Sequence, residues 1–270
     1  MKKKKKTIRI IIVLLIFIAF FLPSIKTSIY QSMYKGFIEE VEEYALSSNI
    51  KIVQLQYTNQ GNSSSSSVSA GASGVIIRRE SDKCYALTAE HVIKELEDVD
   101  KTQIIVMGCD QLDYNDYLSE GGEYQGVANY YQQFPEAIVE YANEKYDLAI
   151  ISFHADDDYT VLSIATEMPK YGDVVASISN PYRERNIVTI GKVSSIKPRP
   201  FGDKAGNMQY PIIKHTARIS EGSSGSALLN EDMEIVGINI GGGENIFRMF
   251  VNGMAMPSDR IHAFLDEWQN

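Results

Sequence analysis

Short apolar runs separated by turn-forming and charged residues recur through most of the chain, and each predicts a β-strand. Clear examples are residues 49–57, 84–89, 148–153, 189–195 and 235–240. Runs of six to nine residues between such breaks are typical of strands rather than helices. The pattern therefore predicts a domain built mainly of strands.

Two segments depart from this pattern and predict helices. From residue 28 to about 48, apolar residues recur at spacings of three and four, and glutamates cover the opposite side. A second helix is predicted over about 258–268, with Ser258 as its N-cap. We expect the first helix to be a stalk; the alternative is a helix docked on the domain.

The N-terminus carries a basic block followed by an apolar run. Lys2 to Lys6 and Arg9 precede thirteen apolar residues, 10–22, that end at Pro23. Counting on to Ile25 gives sixteen residues, near the lower limit for a membrane span. Because no small-x-small cleavage site follows, residues 1–27 predict a retained signal-anchor rather than a cleaved signal peptide. The basic block should then stay cytoplasmic, with the domain outside the cell.

Two further segments have unusual composition. Residues 63–67 are five consecutive serines, which predict a flexible surface loop; an interdomain linker is the alternative. Residues 110–135 are acidic and rich in tyrosine. They predict either a surface insertion with a short helix or a loop that shapes a binding cleft or binds a regulator.

Charge and cysteine usage limit the possible functions. The formal net charge is −9, and residues 10–270 contain 20 basic and 35 acidic residues. This balance excludes nucleic acid as a partner, because such proteins need a basic surface. Cys84 and Cys109 are compatible with one disulfide or with two thiols. No Cys/His cluster suggests a metal site, and no cofactor is expected.

The strongest chemical signal is the stretch 221–227, where Ser224 lies between Gly222 and Gly225. A serine hydroxyl needs a base and an oxyanion-binding pair of N–H groups before it can attack a carbonyl. The backbone N–H groups of Gly222 and Ser224 are the candidates for that pair. Ser223 and Ser226 are the rival nucleophiles.

A base and an orienting acid can be named among few candidates. Of the four histidines, only His91 has a distinctive context, at the end of the apolar run 84–89. Asp147 stands directly before the apolar run 148–153, where a carboxylate needs a partner if it is buried. Such an aspartate can fix the tautomer of a histidine and support its imidazolium.

The order His91, Asp147, Ser224, with these flanking residues, resembles the trypsin-like (chymotrypsin-fold) serine peptidases. The resemblance is closest to the HtrA-type bacterial proteases and extends to the glutamyl endopeptidases. It covers about residues 49–268. The further matching stretches, in chain order, are residues 71–77, 87–93, 172–175 with 179–181, 189–195, 237–240 and 253–258.

The resemblance implies an all-β fold of two antiparallel β-barrels with a C-terminal helix. The first barrel would span about residues 49–160 and the second about 165–257. The helix at 28–48 would be a stalk or would dock on the first barrel. His91 and Asp147 would come from the first barrel and Ser224 from the second.

The resemblance also implies contacts to a polypeptide substrate. Strand residues Ile240 and Gly241, with Asn239 beside them, would bind the substrate backbone by strand addition. Arg218 lies where this family often places the base of the specificity pocket. If its side chain faces inward, an acidic residue would be favoured; otherwise it faces solvent.

Three departures from the family pattern are informative. Ser223 replaces the aspartate that pairs with a new N-terminus in many trypsin-like zymogens, so activity should not need proteolytic activation. Asn239 stands where the glutamyl endopeptidases carry a histidine, which weakens a preference for glutamate. Because the chain stops at Asn270, directly after the predicted helix, we expect no PDZ module.

The predicted function is therefore a serine endopeptidase outside the cytoplasm, anchored in the membrane. The alternative is an inactive or regulated binding or sensing module with a protease fold at the cell surface. An esterase is disfavoured, because the α/β-hydrolase order Ser, Asp, His is absent. Substrate preference and oligomeric state are not specified by the sequence.

Overall fold

A computed structural model gives the fold over most of the chain. The residues it describes are 29, 31–60, 63–69, 71–94, 99–155, 158–182, 184–200, 209–244 and 250–270. The predicted basic block and signal-anchor at 1–27 lie outside these residues. None of the helices within them is long and apolar enough to cross a membrane.

The first half of the domain is a closed antiparallel barrel. Its strands are β1 (Asn49–Gln60), β2 (Ser63–Val68), β3 (Ala72–Glu80), β4 (Lys83–Thr88), β5 (Lys101–Met107), β6 (Glu136–Asn143) and β7 (Leu148–His154). The sheet order is β2-β1-β3-β4-β7-β6-β5, and pairing of β1 with β5 closes the barrel. Ile50, Ile76, Ala86 and Ile151 belong to its buried interior.

The five-serine run is a strand, so the prediction of a flexible loop was wrong. Residues 63–68 form β2, which pairs antiparallel with β1 from Leu55 to Gln60. On the exposed surface of β2, the Ser67 hydroxyl donates to Gln56 Oε1 at 3.2 Å. Pairing with β1 outweighs the weak local preference of serine, because strand propensity depends strongly on context.

The second half of the domain is another closed antiparallel barrel. Its strands are β8 (Val174–Ser179), β9 (Ile187–Pro200), β10 (Gln209–His215), β11 (Ala227–Leu229), β12 (Ile235–Glu244) and β13 (Phe250–Pro257). They close in the order β10-β13-β12-β11-β8-β9. Val175, Ile213, Leu228 and Val236 are buried in one of its apolar clusters. The predicted two-barrel fold is confirmed.

The helix predicted as a stalk is docked on the domain over its described length. The helices are α1 (Lys35–Tyr44), α2 (Glu90–Ile93), α3 (Tyr114–Ser119), α4 (Val127–Tyr131) and α5 (Ser258–Gln269). Phe37 and Val41 of α1 are buried in the main apolar core, and α1 contacts β9. Directly after α1, the single helical turn Leu46–Ser48 contacts β3, so the segment predicted as one helix contacts both barrels.

The predicted C-terminal helix is confirmed as α5, and it connects the two barrels. It follows β13 of the second barrel, yet its Trp268 ring packs 5.7 Å from the Tyr85 ring of β4. The guanidinium of Arg78, in β3, lies 4.0 Å from the Tyr85 ring centre and 4.5 Å from that of Trp268. Ser258 is the first helical residue and makes no side-chain cap, contrary to the prediction.

The insertion between β5 and β6 contains two short helices, α3 and α4, rather than the one predicted. Its buried tyrosines, Tyr114, Tyr130 and Tyr131, pack on the outer side of β1 and β5. The insertion also contributes Asp113, which binds Lys51 of β1. Lys51 Nζ lies 2.6 and 2.5 Å from the two carboxylate oxygens of Asp113. This ion pair is buried, and burial lowers the pKa of Lys51. The insertion is thus fastened to the first barrel by apolar contact and by charge.

The two cysteines are present as thiols and are not joined by a disulfide. Cys84 is buried in the interior of the first barrel, whereas Cys109 is half-buried at the start of the insertion. Of the two alternatives left open by the sequence, the structure has the thiols.

The buried pair gives a test of how the insertion is held. Lys51→Met leaves the Asp113 carboxylate buried without its cation, which should lower the free energy of unfolding by about 3–5 kcal/mol. The double variant Lys51→Met/Asp113→Leu removes both charges and should be more stable than the single variant. Urea unfolding measures both.

The exposed Lys35, which pairs with Glu39 on α1, provides the matched control. Lys35→Met should change the free energy of unfolding by no more than about 0.5 kcal/mol. Equal effects of the two Lys→Met variants would contradict a role for the buried pair.

Candidate active site

His91 and Asp147 form a close pair at one end of the first barrel. His91 lies in α2, directly after β4, and Asp147 lies between β6 and β7. Asp147 Oδ1 accepts the His91 backbone N–H at 2.9 Å, and Asp147 Oδ2 lies 2.7 Å from His91 Nδ1. Because the carboxylate accepts from Nδ1–H, the neutral ring leaves Nε2 without a proton. His91 is thereby set as a base at Nε2.

The Asp147 backbone adopts an unusual conformation that supports this pair. Its φ is +50°, in the left-handed region that aspartate tolerates better than most residues. Its side chain is buried, whereas that of His91 is 45% exposed. The acid is thus withdrawn from solvent while the base remains open to it.

The electrostatics of the pair favour a protonated His91. The hydrogen bond to Asp147 raises the pKa of His91, and partial burial of the ring opposes this less strongly. A base that becomes cationic during a reaction is stabilised by such a partner.

Ser224 comes from the second barrel, in the turn before β11. Its side chain is half-buried, and its carbonyl accepts the N–H of Ser73 from β3 at 2.9 Å. Within the described residues the Ser224 hydroxyl makes no hydrogen bond, and so it does not bond to His91. Hydrogen bonds of this kind often form only when substrate is bound.

The two backbone N–H groups proposed to bind an oxyanion are both available. Glu221 O accepts from Tyr182 N–H at 2.7 Å, and Ser223 O accepts from Ser226 N–H at 3.1 Å. In a trans peptide the carbonyl and the N–H point in opposite directions. These bonds therefore direct the N–H groups of Gly222 and Ser224 away from Tyr182 and Ser226, and neither N–H bonds to any described residue.

Glycine is required at position 222. Its φ is +93°, and a Cβ there would lie 2.5 Å from the carbonyl oxygen of Asn180. Both a strained conformation and a backbone clash would follow from any larger residue. The Gly-x-Ser spacing of the motif thus has a local physical cause.

Ser73 contributes to the site in a way that the sequence analysis missed. Its hydroxyl donates to Gly222 O at 2.9 Å and accepts the N–H of Asn180 at 2.9 Å. Thr88 Oγ1 donates to Ser73 O at 2.7 Å. The signal in the sequence is the small-residue stretch 71–74 before the His91 segment, which belongs to the resemblance but does not itself mark Ser73.

The rival serines are buried and engaged inside the second barrel. The Ser223 hydroxyl lies 3.1 Å from Ser179 Oγ and accepts the Ser220 N–H at 3.2 Å. The Ser226 hydroxyl accepts from Asn239 Nδ2 at 2.8 Å. Their exposures are 1% and 0%, so Ser224 is the accessible serine of the turn.

Asn239 lies inside the second barrel, which corrects its prediction as a substrate contact. Its amide donates to Ser177 Oγ at 2.9 Å and to Ser226, and its Oδ1 accepts from His215 Nε2 at 2.8 Å. Burial lowers the pKa of His215 to about 4, so this ring is neutral at physiological pH. Asn239 therefore supports the Ser224 turn from within.

The other residues predicted to contact substrate, Ile240, Gly241 and Arg218, differ in how far they are exposed to solvent. Ile240 and Gly241 lie in β12, where the register with β13 shifts between Asn239 and Gly241. Ile240 is buried and Gly241 is half-buried. Arg218 is exposed, and its carbonyl accepts the Thr189 hydroxyl at 2.9 Å. The structure thus brings His91 and Asp147 together and leaves the Arg218 side chain in solvent.

The sequence matches a family model described as the trypsin-like peptidase domain over residues 72–238. This range contains His91, Asp147 and Ser224 and more than half of the chain.

Two relatives are identical to the chain at about one aligned residue in three. Serine endoprotease DegS from Haemophilus influenzae is 30% identical over 186 residues, which is 69% of this chain and 42% of that protein. Serine protease HTRA4 from Mus musculus is 32% identical over 137 residues, 49% of this chain and 27% of that protein. The chain thus spans less than half the length of these two relatives.

A solved structure shows the same fold. It is described as the serine endoprotease from Yersinia pestis, has a TM-score of 0.56 and is 25% identical. The alignment covers 86% of this chain and 66% of that one.

The His91–Asp147 pair gives a test that does not depend on any reaction. Asp147→Asn removes the charge that stabilises the imidazolium, so the pKa of His91 should fall. Titration of the His91 ring followed by NMR measures the shift.

Asp82→Asn is the matched control, because Asp82 faces His154 at 3.0 Å on the surface. That variant should leave the His91 titration unchanged. A His91 midpoint in Asp147→Asn equal to that of the unmodified protein would show that Asp147 does not tune the ring.

Proposed function

The chain belongs to the trypsin-like peptidase family and is of the HtrA type, and from this membership we propose that it is a serine endopeptidase. The observation that carries the proposal is the turn around Ser224. An accessible serine lies there, and two backbone N–H groups, its own and that of Gly222, bond to no described residue. The base and acid needed to activate it are paired in the other barrel.

The proposed reaction is acyl transfer through a covalent intermediate. Ser224 Oγ attacks the peptide carbonyl while His91 Nε2 takes the hydroxyl proton, and Asp147 holds the imidazolium that forms. The N–H groups of Gly222 and Ser224 donate to the oxyanion. The collapsing intermediate expels the amine, which receives its proton from His91. Water then attacks the acyl-enzyme by the same route and releases Ser224.

A polypeptide is the proposed substrate. The strand residues Ile240 and Gly241 would pair with the substrate backbone, in the manner of strand addition to a sheet. Because Arg218 is exposed, a preference for acidic residues would require its side chain to turn toward the bound substrate. No such preference is part of the proposal.

Proteolytic activation of the chain is not needed in this proposal. The residue before the nucleophile is Ser223, whose hydroxyl bonds to Ser179 and Ser220 within the second barrel. A new N-terminal amine would find no carboxylate at this position. The enzyme can therefore act while its N-terminal segment remains attached.

We also propose that the peptidase domain lies outside the cytoplasm and is held to the membrane by residues 1–27. Support comes from the basic block, the apolar run after it and the absence of a cleavage signal. Seven residues, 28–34, separate the proposed anchor from α1, which is docked on the second barrel.

One observation favours a second candidate, a regulated binding or sensing module. The Ser224 hydroxyl does not bond to His91 within the described residues. If that contact also fails to form with substrate, the domain would bind peptides without cleaving them.

Ser224→Ala tests the first candidate directly. Loss of the nucleophile should abolish peptide cleavage and covalent labelling by a fluorophosphonate probe. Gel fluorescence after labelling and cleavage of a mixed peptide library measure the two effects.

Ser119→Ala, on the surface helix α3, is the control and should keep both activities. Labelling that persists in Ser224→Ala would refute the assignment of the nucleophile. An unlabelled but folded wild-type protein would favour the binding module.

The proposed anchor is tested by the fate of residues 1–27. The full chain should sediment with membranes and retain its N-terminal lysines by intact mass, and external protease should reach the domain in whole cells. A chain that begins at residue 28 should remain soluble. A mature protein that has lost residues 1–27 and appears in the medium would indicate a cleaved signal peptide instead.

A further inference from the structure

The loop between β8 and β9, described over residues 180–182 and 184–186, orients one of the two proposed oxyanion donors. Tyr182 N–H donates to Glu221 O at 2.7 Å. That carbonyl belongs to the same peptide group as the Gly222 N–H, and the two point in opposite directions. The position of Tyr182 therefore decides where the Gly222 N–H points.

This loop does not hold its shape by local preference alone. Tyr182 has φ +49° and Asn186 has φ +57°, both in the left-handed region. Non-glycine residues in this conformation cost on the order of 1–3 kcal/mol each and persist only where neighbouring contacts enforce them. Bonds inside the loop, from Glu184 N–H to Pro181 O at 2.8 Å and from Asn186 N–H to Asn180 Oδ1 at 3.1 Å, are joined by contacts from outside it.

Those contacts come from the opposite barrel. Directly after β5, three carbonyls of the turn 108–111 face the loop. Arg185 Nη2 donates to Gly108 O at 2.6 Å, and Arg185 Nη1 donates to Gln111 O at 2.7 Å. Asn186 Nδ2 donates to Cys109 O at 2.8 Å. One turn of the first barrel thus accepts from two adjacent side chains of the loop.

Arg185 makes the stronger part of this connection. Its guanidinium is charged, and a charge-assisted pair of hydrogen bonds is stronger than a neutral one. Burial lowers its pKa, while the nearby Asp113 carboxylate favours the cation. A guanidinium withdrawn from water needs its acceptors, so the loop stays against the turn.

We propose that Arg185 is a positioning residue for the oxyanion hole, a role that rests on the proposed endopeptidase function. It does not touch the reacting atoms. By fastening the described residues of this loop to the turn 108–111, it keeps Tyr182 N–H on Glu221 O and the Gly222 N–H turned toward the substrate carbonyl. The insertion in the first barrel is thereby part of the apparatus that shapes the nucleophile turn in the second.

Arg185→Met tests this role, because it removes both donors and the charge with little change in size. Losing an oxyanion donor lowers kcat by about 10²–10³, and a donor that is only loosened should lower kcat by about ten- to a hundredfold. KM should stay within about twofold, since the donor acts mainly on the transition state. Rates are measured per folded molecule, with folding checked by circular dichroism.

Arg79→Met is the matched control, as Arg79 lies on the surface and pairs with Asp158; its kcat should equal that of wild type. Arg185→Lys keeps the charge but lacks the planar pair of donors, so its kcat should fall between wild type and Arg185→Met. If Arg185→Met does not fold, Arg185→Lys decides the question, and a wild-type kcat for it would overturn the proposal.

A crystal structure of Arg185→Met separates this inference from the proposed function. We expect the Tyr182 N–Glu221 O bond to be broken or the peptide before Gly222 to be rotated. An intact bond together with a wild-type kcat would overturn the role of Arg185 and leave the endopeptidase assignment standing. If wild type is not labelled by a fluorophosphonate, the endopeptidase assignment fails, and the crystal structure alone then decides whether Arg185 sets this peptide.

Discussion

The two barrels meet at a buried hydrogen-bonded seam, and the geometry of the proposed site depends on it. The base and acid belong to one barrel and the nucleophile to the other, so their distance is set by how the barrels are joined. Ser73 of the first barrel connects it to the second, because its N–H donates to Ser224 O and its hydroxyl donates to Gly222 O. A displacement of about 1 Å can cost a hundredfold in rate. The contacts that join the barrels therefore matter for the site even where they do not touch the reacting groups.

Apolar packing makes the seam rigid. The largest buried cluster is continuous across both barrels and includes α1 and α5, with Val41 and Phe264 fully buried in it. Helix α5 leaves the second barrel and places Trp268 on the first. Glu267 of α5 accepts a hydrogen bond from the Tyr146 hydroxyl at 2.7 Å, and Tyr146 directly precedes Asp147. The helix thus helps fix the segment that carries the acid.

Much of this could be predicted from the sequence, because strands follow from local apolar patterns and the resemblance to a family implied their arrangement in two barrels. The apolar runs located most strands, and the flanks of His91 and Asp147 indicated a pair that the structure brings to hydrogen-bonding distance. What failed depended on contacts distant in sequence. The serine run became β2 because β1 offered a free edge. Asn239 turned inward because His215 and Ser226 bind its amide, and no local pattern marks Arg185 as bonded to carbonyls 77 and 74 residues earlier.

The central claim is that the Ser224 turn is a preformed site for attack on a carbonyl, and a crystal structure of the fluorophosphonate-treated protein tests it most directly. We predict phosphorus bonded to Ser224 Oγ, with its free oxygen within about 3 Å of the Gly222 and Ser224 nitrogens. His91 Nε2 should face the modified oxygen. Phosphorus on Ser223, Ser226 or another residue, or an oxygen that contacts neither N–H, would contradict the account.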